Sequence, residues 1–208
     1  LHILSKERSS MRNDALKLIG IIAMTIDHIG WLFFPNIVLF RIIGRIAFPI
    51  FAYQISVGYR NTSNVYKYMA RLFIFALISQ IPYGLLANQL NIMFTLLIGL
   101  IMIQLRQINT ILSLLPLFLT YCIDIDYGIY GLLTIYGFYV FQDIRLFFIV
   151  LNTILYKPLQ FFSIMALPIL NYEFKTPLML HKYFFYWYYP LHLLFLYCLR
   201  ELCAWCMY

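Results

Sequence analysis

From Leu18 to Phe34 the chain runs almost unbroken through apolar side chains, and within that run Asp27 and His28 stand side by side. In an apolar environment each ionisable group costs a few kcal/mol unless it is paired or does chemistry. The run is therefore expected to be a helix whose polar face turns toward other helices. Whatever those neighbours are, they must supply a partner for the carboxylate and a use for the imidazole.

The rest of the chain is built the same way. With 63% hydrophobic and 11% charged residues in 208, it cannot be arranged as a water-soluble core. The expected fold class is all-α, a polytopic transmembrane helix bundle without a soluble domain. One domain covers residues 1–208, and residues 1–14 form a cytoplasmic or interfacial segment. The opening LHILSKERSS has no signal-peptide pattern, so the first span is expected to serve as an uncleaved targeting signal. The net charge of +7 sits in short loops between apolar runs, which fits orientation in a bilayer better than nucleic-acid binding.

At ~20 apolar residues per span, the expected spans are 17–35, 38–58, 70–87, 91–105, 108–123, 127–142, 145–157, 158–170 and 183–202. The segments 145–157 and 158–170 could form one helix kinked at Pro158, so the count is eight or nine, with nine favoured. Nine spans place Lys6, Arg8, Arg12, Lys17, Arg60, Lys67, Arg71, Arg106, Arg145, Lys175 and Lys182 in the cytoplasm, and Asp124 and Asp126 outside. The expectation is a multi-pass cell-membrane protein with a cytoplasmic amino terminus. The aromatic run from Tyr183 to Tyr189 reads as an interfacial belt.

Depth sharpens the reading. Lys17 and His28 are close to three turns apart on one helix face, ~16 Å along the axis. The next helix returns after Pro35-Asn36, and its Arg41 and Arg45, at i and i+4, share a face. Counting from the shared turn, Arg45 reaches the level of Asp27 and His28. A salt bridge between Asp27 and Arg45 would explain the carboxylate and leave the histidine unexplained. A neutral imidazole is the usual group for taking a proton from a nucleophile near pH 7. Adjacent helical residues point about 100° apart, so a third group is expected to orient the base. Embedded polar residues elsewhere, among them Gln54, Ser56, Ser79, Gln80, Asn91, Thr95 and His192, are individually more often interhelical glue than chemistry.

The runs DALKLIGIIAMTIDHIG, FRIIGRIAFPIFAY, VGYRNT, YMARLFIFALISQIP, LNIMFTLLIGL and FYWYYPLHLLFLY, in this order, resemble the TraX family of membrane acyltransferases. The likeness covers about residues 14 to 104 and 181 to 197. It implies acetyl transfer from acetyl-CoA to an amino group, as in acetylation of a pilin amino terminus, or to a glycan or other surface acceptor. It also implies kinship with a wider superfamily in which a basic residue, ten intervening residues and a histidine mark the first helix; Lys17 and His28 match that spacing. On this resemblance His28 is the general base and Asp27 tunes or positions the site. Lys17 attracts coenzyme A phosphates, and Arg41 and Arg45 hold the donor or stabilise an oxyanion. Arg71, Asn91, Thr95, Tyr189 and His192 are further acyl-CoA- or substrate-binding candidates. Val57 and Gln80 stand where glutamates are expected.

Two readings compete with the enzyme: a small proton-coupled transporter, and a non-catalytic membrane component of an export or conjugation complex. No metal is expected. Cys203 and Cys206 form a CxxC without further ligands, Cys122 and Cys198 read as apolar packing residues, and Asp124 and Asp126 read as a solvated turn, with metal or substrate contact as the lesser alternative.

Overall fold

The computed structural model describes residues 14–141, 143–155, 158–172, 174, 178–181 and 183–205. Residues 1–13, Lys175, Lys182 and Cys206 lie outside the described residues, and so does the topology expected from the charges they carry.

The described chain is helical, with one isolated bridge between Leu90 and Ile125. Helix α1 is Ala15–Phe33. It stops before Pro35, whose ring disfavours helical geometry at Phe34. The expected second span is broken into α2, Val38–Gly44, and α3, Ala47–Asn61. Pro49 is the cause: it has no N–H for the carbonyl of Arg45 four residues back, and its ring crowds that carbonyl. Helix α4 is Val65–Gly84, opened by Asn64, whose side chain accepts from the Lys67 N–H. Helix α5 is Ile92–Arg106, opened by Asn91 in the same manner.

Most of the later segments are shorter than a bilayer span. A 3₁₀ stretch, Leu112–Phe118, carries Pro116 and runs into α6, Leu119–Cys122. Helix α7 is Gly128–Val140, and α8 is Ile144–Ile154 with Asp143 as its cap. A second 3₁₀ stretch, Pro158–Met165, leads into α9, Ala166–Asn171, and α10 is Phe184–Trp205. Among the described residues, α1 and the α2–α3 unit Val38–Asn61 are long and apolar enough to cross a membrane, and five further apolar helices are shorter.

Helix α3 packs on α1 and α7, α5 lies between α4 and α7, and α10 covers α1 and α4. Buried Phe48, Ile50, Leu100, Ile103, Ile135 and Phe138 fill the centre. The outside is also apolar: Phe73, Ile74, Leu77 and Ile81 of α4, Leu146, Ile149 and Ile154 of α8, and Leu191, Phe195 and Leu202 of α10 face outward. A helix in water would show polar residues there. Cys122 and Cys198 are exposed too, which corrects their reading as packing residues: each falls on an outward face of its helix.

Candidate functional site

Two glycines bring α1 and α2 into contact. A Cβ on Gly44 would lie 2.1 Å from the Asp27 carboxylate, and one on Gly30 would lie 2.3 Å from the Cβ of Phe40. With hydrogen at these two positions, Asp27 reaches across the gap. One of its oxygens is 3.0 Å from the Arg41 guanidinium, and both lie within 3.0 Å of Arg45 Nη2.

The two arginines are used differently. Arg45 is consumed: Nε donates to the Arg41 carbonyl at 3.3 Å, Nη1 to Gln160 Oε1 at 3.3 Å and Nη2 to Asp27. Arg41 reaches Asp27 through Nη1 alone. Among the described residues its Nε and Nη2 have no acceptor, and its side chain is 27% exposed against 12% for Arg45.

His28, one residue on, points elsewhere. Its Nδ1 is 2.8 Å from Nε2 of His192, and the Nδ1 of His192 is 3.0 Å from the Tyr188 carbonyl oxygen. A carbonyl only accepts, so His192 Nδ1 carries the hydrogen and the neutral ring's Nε2 carries a lone pair. His28 Nδ1 must then donate, and His28 Nε2 is left as a lone pair with no described partner. The Tyr188 ring stacks on His192 at 5.2 Å. Its hydroxyl is 2.8 Å from Thr25 Oγ1, which itself donates to the Ile21 carbonyl, so Tyr188 is the donor and α10 is tied to α1.

These groups meet at a cavity of about 250 Å³. Asp27, His28 and Trp31 of α1, Arg41 and Arg45, Phe48 and Phe51 of α3, Tyr83, Gln89, Asp126, Tyr127 and Tyr189 are among its walls. The Asp126 reading as part of a solvated turn is corrected here. Its loop is pinned inward: Leu90 N–H donates to Asp124 O and Asp126 N–H to Leu90 O, each at 2.9 Å, while Thr95 donates to the Asp126 carbonyl. Tyr127 turns the chain at φ 63°. Asp124 is exposed, whereas Asp126 lines the cavity. Burial pushes the Asp126 carboxyl up to about 6, against the pull of the Arg45 guanidinium. No cation lies within ion-pair distance of it among the described residues.

Other expected site residues fall in different places. Lys17 pairs with buried Asp14 at 2.8 Å and lies over the Phe185 ring, away from the cavity. Arg71 lies over the Tyr68 ring on α4, also off the cavity. Asn91 is fully buried, donating to the Ala76 carbonyl and Gln80 Oε1 and capping α5, and Thr95 holds the Asp126 loop. Tyr189 lines the cavity and His192 stands behind His28. Asp126, Tyr127 and Gln160 were not read from the sequence as site residues; the signal for the first two was a carboxylate and an aromatic residue directly before Gly128.

The chain is 26% identical over 225 aligned positions, 86% of its own length and 91% of the relative's, to a probable fimbrial assembly protein of Dichelobacter nodosus. It is 41% identical over 90 residues to an uncharacterised protein of Rickettsia prowazekii, a match that covers 41% of this chain and 34% of that protein. No solved structure matches. The family model for TraX protein matches residues 12–200, and the chain belongs to the TraX family.

Proposed function

We propose that the protein is a membrane-embedded acetyltransferase that moves an acetyl group from acetyl-CoA to an amino group or another nucleophile on a surface molecule. The observation that carries this reading is the His28 Nε2 lone pair, set by His192 and Tyr188 at the wall of a cavity that also holds guanidinium N–H groups. A proton acceptor beside donors that can receive an oxyanion is the minimum equipment for acyl transfer.

The acceptor nitrogen or oxygen attacks the thioester carbonyl carbon while His28 Nε2 takes its proton. The new C–N or C–O bond forms, the C–S bond breaks, and the proton passes from His28 to the departing thiolate of coenzyme A. Arg41, with Nε and Nη2 uncommitted, is the group that receives the developing oxyanion. Arg45, fully engaged, holds Asp27 and hence the α1–α2 geometry. Asp126 receives the acceptor's N–H or O–H, being the cavity carboxylate without a cation in contact.

In this reading the outward apolar stripes face lipid, the helices cross the membrane nine times, and the amino terminus is cytoplasmic. The α1 C-terminus, the α4–α5 loop and the α7 N-terminus, which together frame the cavity, then lie toward the outer side. The Dichelobacter relative, a probable fimbrial assembly protein, favours a fimbrial or pilus protein as the acceptor. Detergent-purified protein with labelled acetyl-CoA and an amino-terminal peptide tests the proposal. Label should enter the peptide, and His28→Ala should abolish this at unchanged thermal stability; no transfer to amines or hydroxyls by the folded protein would refute it.

A further inference from the structure

Three helices tie the His28 cavity to a second depression at their other ends. Helix α3 begins beside the cavity at Ala47 and Phe48 and reaches Arg60 in its last turn; α5 begins at Ile92 and ends at Arg106; α7 follows Tyr127 and ends with Tyr139 and Val140. Arg60, Arg106, Gln107, Tyr139 and Val140 line a cleft of about 410 Å³. A dozen or more helical residues, at ~1.5 Å each, separate the sites by roughly 20 Å.

The cleft walls are fixed. Arg60 donates to the Tyr139 carbonyl at 2.9 Å and lies over the Tyr139 ring at 5.3 Å. Gln107 donates to the Tyr139 hydroxyl at 2.6 Å, and the Tyr59 ring meets Tyr139 edge-on at 5.5 Å.

Arginines at helix C-termini commonly satisfy the last carbonyls. That accounts for Arg60, which caps α7. It does not account for Arg106, whose described hydrogen bond goes to the Thr110 hydroxyl. Arg41 and Arg45 are paired with Asp27, Arg145 with Asp143, Arg200 with Glu201 and Lys17 with Asp14. Arg106 has no described carboxylate within ion-pair distance, yet it shares a cleft with a second half-buried guanidinium. Two guanidinium groups lining one cleft favour an anion there, and the planar guanidinium fork suits phosphate oxygens.

We infer that the Arg60–Arg106 cleft is a binding site for a phosphate ester. Two sources share that chemistry: the nucleotide phosphates of coenzyme A, an assignment that rests on the proposed function, and the headgroup of an anionic phospholipid, which does not.

Binding of coenzyme A and of pantetheine to the detergent-purified full chain, measured by calorimetry, separates them from each other when paired with thermal stability in phosphatidylglycerol against phosphatidylcholine nanodiscs. If the phosphates are those of coenzyme A, Arg106→Gln weakens coenzyme A binding at least tenfold, leaves pantetheine unchanged, and Arg106→Lys restores most of the loss. If the phosphate is a lipid's, coenzyme A binding is unchanged and Arg106→Gln removes the stabilisation by phosphatidylglycerol, which keeps the site and discards the donor assignment. If neither ligand responds to Arg106→Gln or to Arg60→Gln, the inference is overturned. Arg106 gives up one hydroxyl contact, so its variant keeps the test valid should Arg60→Gln misfold. Arg106-dependent coenzyme A binding without any acetyl transfer would sink the acetyltransferase reading and leave the cleft standing; His28-dependent transfer with neither coenzyme A binding nor phosphatidylglycerol stabilisation dependent on Arg106 or Arg60 does the reverse.

Discussion

His192 dictates the tautomer of His28 although 164 positions separate them: their nitrogens lie 2.8 Å apart, and the Tyr188 carbonyl 3.0 Å beyond His192 leaves one direction for the hydrogen bond. The lone pair on His28 Nε2 is a consequence of α10 docking on α1.

Loss of the base and loss of its orienting partner should therefore differ in degree. His28→Ala is expected to lower kcat by ~10²–10⁴, the usual contribution of a positioned base. His192→Ala should lower it less. His192→Gln, whose amide oxygen can still accept from His28 Nδ1, should recover part of that loss, whereas a purely packing role for His192 predicts no such recovery.

The two arginines should separate chemistry from stability. Arg41→Gln is expected to cut kcat by ~10²–10³, as for an oxyanion donor, with a small change in Tm. Arg45→Gln removes bonds to Asp27, Gln160 and the Arg41 carbonyl and should lower Tm more than Arg41→Gln. Asp27→Ala strands both guanidinium groups and should cost about 3–5 kcal/mol. Thermal unfolding in one detergent, beside kcat for each variant, checks all three.

Gly44→Ala places a methyl 2.1 Å from the Asp27 carboxylate. Neither α1 nor α2 can yield without disturbing the ion pair, so destabilisation of about 1–3 kcal/mol is expected from overpacking. Unchanged Tm would mean that the two helices are not held this closely.

Asp126 gives a pH signature. Its carboxyl is raised to about 6 in the folded protein from an ordinary value near 3.8, so the folded state prefers it protonated. Its ionisation therefore costs stability as pH rises through that interval, and the full cost is present above pH 6. Asp126→Asn should raise Tm at pH 7.5, and the advantage should fade between pH 6 and 4. The same variant should raise KM for the acceptor. A Tm difference that is flat with pH would show that the carboxyl is not buried as described.

The Asp27–Arg45 contact was legible because a helical rise of 1.5 Å per residue, counted from the shared turn at Pro35-Asn36, fixes the relative depth of the two residues. The identity of the group behind His28 was not, since no local periodicity records that α10 packs beside α1. Asp126 was misread because Asp, Tyr and Gly in sequence look like a surface turn; the backbone bonds to Leu90 that pull this loop inward come from a segment more than thirty residues away. The α2–α3 break was implicit in Pro49, yet hydropathy alone runs straight through it. Hydropathy also reads apolar runs as spans whether they form α-helix or, as at Leu112–Phe118 and Pro158–Met165, tighter 3₁₀ turns.

The measurement that bears most directly on the account is acetyl transfer from labelled acetyl-CoA to a peptide amine by purified wild type beside His28→Ala, at matched thermal stability. A rate that falls by at least a hundredfold in the variant is the predicted result; equal rates in the two proteins would contradict it.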